Sequence, residues 1–422
     1  MKTTNADSSA VTTSAPSLVE RSARNAVHAL LRRLQHGSLT LEEGGQLLHF
    51  GEERHHARIK ATVQIRHAGA YVSILRNGEI GAGEAYMQQL WDTPDLLQVI
   101  RLFVTNMNVL SSMQGSPWKR QVLRFWHALR RNSLDGSRRN IAAHYDLSND
   151  FFRLFLDDTM AYSAGIFTSA KSSLYEASVA KFERICRLLE LKPQDTLLEI
   201  GTGWGGLAIH AARNHGCRVV TTTLSREQAS HARQWIAREG LQDRITVLEK
   251  DYRELTGQYD KLVSVEMIEA VGAEYYDDYF RRCSALLKPH GLMMLQAITI
   301  SDQRYQQSLG SADFIKRYIF PGGQLPCNSE IARQTAVNTD MQLIDVKDIT
   351  LDYALTLQAW RERFQDRLTE VRQLGFDEVF IRMWRYYLCF CEGGFRERVI
   401  HTGQFLLAKP EWRPQQPELS HG

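Results

Sequence analysis

Residues 196–206, TLLEIGTGWGG, constrain the fold of this chain more than any other stretch. The run from Thr196 to Ile200 is short, apolar and bounded by turn residues, the pattern of a strand buried in a parallel sheet. Gly201-Thr202-Gly203-Trp204-Gly205-Gly206 follows, and residues 207–214 then read as a helix. Glycines let the backbone turn tightly and approach a ligand, and the N–H groups of the new helix point at that ligand. A loop of this kind serves NAD, FAD and S-adenosylmethionine folds alike, so its flanks must separate them.

Downstream the chain alternates. Residues 218–223 read as a strand, 225–239 as a helix, 245–250 and 259–266 as strands, 275–287 as a helix and 292–300 as a strand. Strands separated by helices predict an α/β fold with a doubly wound, Rossmann-like sheet and a ligand at the strand C-termini. Residues 301–340 read as an insertion, 342–350 as a strand, about 354–390 as two long helices and 403–409 as a last strand. A dinucleotide site places an acid about 20 residues past the loop to hold the ribose. Here the second strand ends Thr221-Thr222-Thr223-Leu224-Ser225, which counts against a dehydrogenase. Asp251-Tyr252-Arg253, just past the third strand, stands where methyltransferases bring groups to the adenine edge.

The first third reads differently. Residues 1–17 are a Ser/Thr/Ala-rich tail, and 18–115 form a small α+β domain. Within it, residues 19–35 have helical spacing, 51–65 and 71–75 read as strands with Asn77-Gly78 as a hairpin turn, and 94–107 look helical. Residues 116–140 form a basic amphipathic linker, with Lys119, Arg120, Arg124, Arg130, Arg131, Arg138 and Arg139 against Asp135 alone. Trp118, Val122, Phe125, Trp126 and Leu129 share one face of it, a pattern that suits an anionic membrane surface or a solvated interdomain helix equally. Residues 141–410 form the remaining domain and 411–422 a tail. A formal net charge of +3 suggests no nucleic-acid partner. The six cysteines show no ligand spacing, so reduced thiols and no metal are expected. Neither a signal-peptide pattern nor an apolar run long enough to span a bilayer is found, and an intracellular protein is expected.

Residues 141–167 are dense in aromatics without strand alternation, and His144-Tyr145-Asp146-Leu147-Ser148-Asn149-Asp150 suits a cofactor lid better than a core. From about His144 to its end the chain resembles the cyclopropane-fatty-acyl-phospholipid synthase family, which includes the mycolic acid cyclopropane and methyl-branch synthases. The resemblance lies in HYDLSNDFF, EIGTGWGG, TLSREQ, DYREL, VSVEMIEAVG, YIFPGGQLP and FRER. Residues 40–135 resemble the extra N-terminal domain of its phospholipid-acting bacterial branch.

That resemblance implies methyl transfer from S-adenosylmethionine to a carbon–carbon double bond of an acyl chain. By similarity Tyr162, Ser163, Glu199, Gly201, Thr202, Gly203, Trp204, Gly205, Gly206, Thr223, Leu224, Ser225, Gln228, Tyr252 and Arg253 line the cofactor. An alkene is a poor nucleophile, so methylation develops a carbocation that must be kept from water, and Tyr145, Phe152, Tyr162 and Tyr318 are the candidate shielding rings. In the family a bound bicarbonate removes the proton, held by a Glu, a His, a Tyr and backbone amides. Glu269 and Tyr353 match the Glu and Tyr. Ala164 stands in a Tyr-Ser-Cys pattern and keeps its backbone N–H, and Gln296 replaces His two residues before Ile298. Gln296 can donate a hydrogen bond but cannot take up a proton or carry a charge, which weakens the anion site. Cys391 matches a family cysteine near the site, with a buried inert thiol as its plainer reading.

The implied product is a cyclopropane fatty acid, with a methyl-branched or methylene chain as the alternative. An NAD(P)-dependent oxidoreductase and an inactive lipid-binding homologue are more remote. The implied partners are membrane phospholipids with unsaturated chains and an anionic membrane surface, with a homodimer open. The implied place is the cytoplasm, peripheral to the inner face of the membrane.

Overall fold

The computed structural model describes residues 17–52, 57–110 and 147–414. The basic segment 116–140, Tyr145 and most of both expected tails lie outside the described residues. Two compact units emerge, one within Met1–Gly115 together with Glu378–Tyr386, the other within Ser116–Asp377 together with Tyr387–Gly422.

In the first unit, Ser17 caps the helix Leu18–Leu31 through a reciprocal bond with Glu20. Four strands come next: β1 (Ser38–Glu43), β2 (Gln46–Gly51), β3 (Lys60–Ile65) and β4 (Trp91–Asp92), in the order β2-β1-β3-β4. Gly44 and Gly45, at φ of 54° and 79°, make the β1–β2 hairpin that two left-handed residues permit. The structure corrects two sequence expectations in this unit. Only residues 60–65 of the strand expected over 51–65 pair in β3, after the separate β2. Residues 71–75 lie in the helix Gly69–Met87, not in a strand, and Asn77-Gly78 make no hairpin. The apolar alternation there is too short to distinguish periods, and Gly78 (φ 60°, ψ −131°) breaks the helix in its middle. Beyond that break the chain comes so close to itself that a Cβ on Gly81 would collide with the Ser73 carbonyl oxygen.

The second unit is built on a seven-stranded sheet. Its strands are β5 (Thr196–Ile200), β6 (Arg218–Thr222), β7 (Ile245–Leu248), β8 (Tyr259–Val265), β9 (Leu287–Ile300), β10 (Gln342–Asp348) and β11 (Ile400–Ala408). They stand in the order β10-β11-β9-β8-β5-β6-β7. β5 to β9 are parallel, and β11 enters antiparallel to both β9 and β10. The chain winds outward from β5 through β6 and β7, then returns to lay β8 on the other flank of β5. That reversal makes a switch point, where the C-terminal ends of β5 and β8 face a crevice.

Both sheet faces are covered. Phe182, Ile185 and Leu189 of the helix Leu174–Leu188 and its cap pack with Leu207, Ala208 and Ala211 of the helix Gly206–His215 on one side. Tyr276, Tyr279, Phe280 and Cys283 of the helix Tyr276–Leu286 pack with Ile331 on the other. Three helices, Thr350–Asp366, Leu368–Gln373 and Glu378–Arg396, occupy the region expected to hold two. Asp302–Ser308, Phe314–Tyr318 and Asn328–Asn338 are helices of the expected insertion.

Candidate active site

The crevice has two banks. On the β5 bank, Gly201, Gly203 and Gly205 all take positive φ, of 102°, 51° and 100°. A Cβ on Gly203 would meet nothing within 4 Å, so this part of the loop faces open space a ligand can fill. Gly206 differs, because a Cβ there would lie 2.6 Å from the Thr159 carbonyl oxygen. Glu199 is buried at the strand end, where Thr221 Oγ1 donates to it at 2.6 Å and Thr202 Oγ1 lies 2.7 Å from Thr221 Oγ1. Burial pushes the Glu199 carboxyl up to about 8.

The other cofactor candidates frame the same bank. Trp204 Nε1 donates to Asn149 Oδ1 at 2.6 Å, which ties the loop to the described end of the 144–150 motif. Thr223 Oγ1 donates to Gln228 Oε1 at 2.9 Å, and Ser225 caps the helix Arg226–Arg238, with Leu224 half-buried between them. Arg253 grips Asp251 with two bonds of 2.8 Å and lies over the Tyr252 ring, whose buried hydroxyl has no hydrogen-bond partner among the described residues. An open glycine turn and an orphaned hydroxyl fit a nucleoside-bearing ligand.

On the β8 bank the structure assembles a carboxylate pair. The β8–β9 register sets Val265 opposite Gln296, so the next residue, Glu266, emerges beside that glutamine. Glu266 is a non-glycine residue at φ 49°, and its backbone N–H donates to the Gln296 carbonyl at 2.8 Å. Its side chain collects three donors. Ala164 N–H and Gln296 Nε2 donate to Oε1 at 2.9 and 2.8 Å, and the Tyr353 hydroxyl donates to Oε2 at 2.7 Å. The amide orientation of Gln296 is set by a chain that begins at a group able only to donate. Arg184 Nε donates to Gln404 Oε1 at 2.8 Å, and Gln404 Nε2 donates to Gln296 Oε1 at 2.9 Å, leaving the Gln296 NH2 for Glu266.

Glu269 stands three residues on. Its Oε1 accepts the Ile298 N–H at 2.5 Å, while Oε2 is buried without a hydrogen-bond partner among the described residues. Burial, and next the charge of Glu266, push Glu269 up to about 8. Burial also lifts Glu266, with the Ala164, Gln296 and Tyr353 donors and the Lys181 charge pulling the other way. Of the two, Glu266 keeps the charge, because its three donors favour the carboxylate form and Glu269 has one. Lys181 is wholly buried and donates to Ser163 Oγ at 2.6 Å. Burial lowers it to about 8 against the attraction of Glu266, Asp157 and Glu199.

Aromatic rings pack together next to these groups. Tyr353 stacks on Phe395 at 4.4 Å, Tyr162 stacks on Trp360 at 5.2 Å, and Phe152 lies 5.3 Å from Tyr162 and 4.9 Å from Trp204. The Tyr162 and Tyr387 hydroxyls are 2.7 Å apart. Tyr318 packs on Phe314 at 5.1 Å within the insertion. Cys391 is half-buried, with its thiol pushed up by burial.

Sequence reasoning thus named Ala164, Gln296 and Tyr353, which bond to Glu266, and Ile298 and Glu269, which bond to each other, but did not name Glu266, Lys181, Gln404, Trp360 and Tyr387. Glu266 carried a signal, an acid at the C-terminal end of an apolar parallel strand. Lys181 read as a solvated helix cation. Away from this edge, Cys186, His210 and His215 bring ligand-type atoms within 4.8 Å of one another, and Glu183 already takes both imidazoles at 3.2 Å.

Residues 132–405 match the family described as mycolic acid cyclopropane synthetase. Tuberculostearic acid methyltransferase UfaA1 of Mycobacterium tuberculosis is 40% identical over 342 residues, covering 79% of this chain and 80% of that protein. Cyclopropane-fatty-acyl-phospholipid synthase of Escherichia coli is 36% identical over 355 residues, covering 83% and 88%. Among solved structures, the cyclopropane synthase MmaA2 from Mycobacterium tuberculosis superposes with a TM-score of 0.61 at 33% identity, over 64% of this chain and 98% of that one. Mycolic acid cyclopropane synthase CmaA1, complexed with SAH and CTAB, gives a TM-score of 0.61 at 32% identity over the same shares.

Proposed function

The chain belongs to the mycolic acid cyclopropane synthetase family of S-adenosylmethionine-dependent methyltransferases, and from that membership we propose that it methylates the double bond of unsaturated acyl chains in membrane phospholipids. The observation that carries this reading is the pairing of an open glycine loop with a half-buried carboxylate pair across one switch point. The register sets Ser264 of β8 opposite Ile200 of β5, so both banks serve one crevice.

In this reading Gly201, Gly203, Glu199, Thr223, Gln228 and Tyr252 hold S-adenosylmethionine, which supplies an electrophilic methyl group. The chain's own residues manage the cation and its proton. Tyr162, Trp360, Phe152 and Tyr353 turn rings toward a developing cation and keep water from it. Loss of a proton from the new methyl closes a cyclopropane. A methyl-branched or methylene chain is the second reading, supported by the 40% identity to a protein named a tuberculostearic acid methyltransferase. It arises when a hydride shifts before the proton leaves.

An added bicarbonate does not fit the residues present. The Ala164 N–H, the Gln296 amide and the Tyr353 hydroxyl end on Glu266, and the Ile298 N–H ends on Glu269. None of the described helices is long and apolar enough to cross a membrane. The basic segment 116–140 supports attachment at an anionic surface, where each cation contributes roughly 1 kcal/mol.

The test is gas chromatography–mass spectrometry of fatty acids after incubating the full chain with S-adenosylmethionine and vesicles of unsaturated phospholipid. One added carbon, in a ring, a methylene group or a methyl branch, is expected. Unmodified acyl chains would overturn the reading.

A further inference from the structure

We infer that the Glu266 carboxylate is a resident general base, which takes the proton from the methylated acyl chain in place of a diffusible anion. The inference rests on the alkene-methylation reading. It arises from where the Glu266 side chain lies. The donors expected to cradle bicarbonate, namely Ala164 N–H, the residue 296 side chain and Tyr353 O–H, all point at one carboxylate covalently part of the chain.

Four further observations fit a base and not a structural carboxylate. Glu266 is the first residue beyond β8, at the switch point, on the strand end that pairs beside the β5 end carrying the glycine loop. It holds a left-handed backbone at φ 49°, a conformation that strains a non-glycine residue and persists only when the surroundings over-determine it. Its partner Tyr353 belongs to the aromatic wall, at 6.2 Å from Trp360, so the carboxylate terminates the lining that would face the cation. Its charge has a buried counterpart in Lys181, and Glu269 beside it is pushed toward the neutral form. A half-buried carboxylate held by donors at fixed distances repels anything anionic but can accept a proton. Burial also raises its basicity above that of an ordinary carboxylate.

The step balances without a further reagent. The methyl carbon bonds to one alkene carbon as its bond to sulfur breaks, leaving a cation on the other. A C–H bond of that methyl then breaks, its electron pair closes the ring, and the proton passes to Glu266 Oε2 or Oε1 and later to solvent. In the methylene variant the same pair forms a π bond after the hydride shift.

The experiment has two arms. The first needs no lipid: calorimetric titration of bicarbonate onto wild type and Glu266→Gly, whose glycine also suits the left-handed backbone. Binding is expected to the variant alone. The second measures methylated fatty acid from unsaturated phospholipid vesicles in CO2-free buffer, with and without added bicarbonate. Wild type is expected to be indifferent to bicarbonate. Glu266→Gln is expected to fall by about 100-fold or more, with S-adenosylmethionine binding and melting temperature retained. Glu266→Gly is expected to be equally slow without bicarbonate and partly restored by it. Bicarbonate binding to wild type, bicarbonate-dependent turnover, or a fully active Glu266→Gln would each overturn the role. No product from wild type under any condition would instead defeat the methylation reading, and this role with it.

Discussion

The C-terminal ends of β5 and β8 border the same crevice but are built from opposite materials. The β5 end is backbone, six contiguous residues whose glycines reach conformations other residues avoid. The β8 end is side chain, with donors from Ala164, Gln296 and Tyr353 brought to Glu266 across as many as 102 positions of sequence. A backbone site fails through conformation. A side-chain site fails through charge and donor count, and its members fail together because each satisfies another.

The largest effect should come from breaking the backbone bank. Gly203→Val puts a β-branched residue at φ 51°, where its Cβ meets no protein atom within 4 Å. The cost to folding is then backbone strain, about 1–3 kcal/mol, while the side chain takes the space the cofactor needs. Affinity for S-adenosylmethionine should fall on the order of 100-fold, about 2.7 kcal/mol, in a protein that still melts cooperatively. Gly206→Val should lose more stability than Gly203→Val, because its Cβ would collide with the Thr159 carbonyl. Calorimetry and melting curves on the pair check both, and wild-type affinity in Gly203→Val would remove the loop from the cofactor site.

A smaller effect should come from cutting the relay on the other bank. Gln296→Leu removes one donor from Glu266 and leaves Gln404 Nε2 without its acceptor, inside a site where both glutamines are buried. Stability should drop by about 1–3 kcal/mol for the orphaned groups. Turnover should drop roughly tenfold, and the acidic limb of the pH–rate profile should move up, because the Glu266 carboxylate loses support for its charged form. Gln296→His restores a donor and should recover most of the rate. An unmoved acidic limb in Gln296→Leu would show that the amide positions nothing at Glu266.

The two banks also differ in how far the sequence disclosed them. The apolar run at Thr196–Ile200 and the glycines after it are local signals, so β5 is where the spacing puts it. The helices after it, Gly206–His215 and Arg226–Arg238, start and end within a residue or so of their expected limits. The family resemblance brought Ala164, Gln296, Ile298, Tyr353 and Glu269 into view; the first two and Tyr353 bond to Glu266, and Ile298 bonds to Glu269. It also directed the eye past Glu266, three residues earlier in VSVEMIEAVG, because bicarbonate was expected where that side chain lies. Lys181 stayed hidden because only tertiary packing tells a buried lysine from a solvated one. The place of β11 between β9 and β10 was hidden likewise, since strand order comes from pairing and not from pattern. Residues 71–75 failed for a local reason: five residues of alternation do not outweigh the helix that contains them.

The smallest expected effect sharpens the distinction between the two carboxylates. Glu269 is lifted by burial and then by Glu266 from 4.5 to about 8. An acid so raised keeps its proton in the folded chain over the interval where the unfolded chain has lost it. Folding therefore binds protons between pH 4.5 and 8, and this contribution to stability is whole below 4.5 and declines as pH climbs through that window. Glu199, also lifted to about 8, adds the same sign. His28, His210, His231 and His401 are lowered from 6.5 and oppose it, so the wild-type curve alone decides nothing. The difference between wild type and Glu269→Gln does decide, because the variant keeps the neutral side chain and drops the titration. Relative to Glu269→Gln, wild type should lose stability in urea titrations between about pH 5 and pH 8, and turnover of the variant should fall far less than that of Glu266→Gln. A flat difference across that range would mean that Glu269 is ionised throughout. The proton would then belong to Glu266, and the two carboxylates would exchange roles.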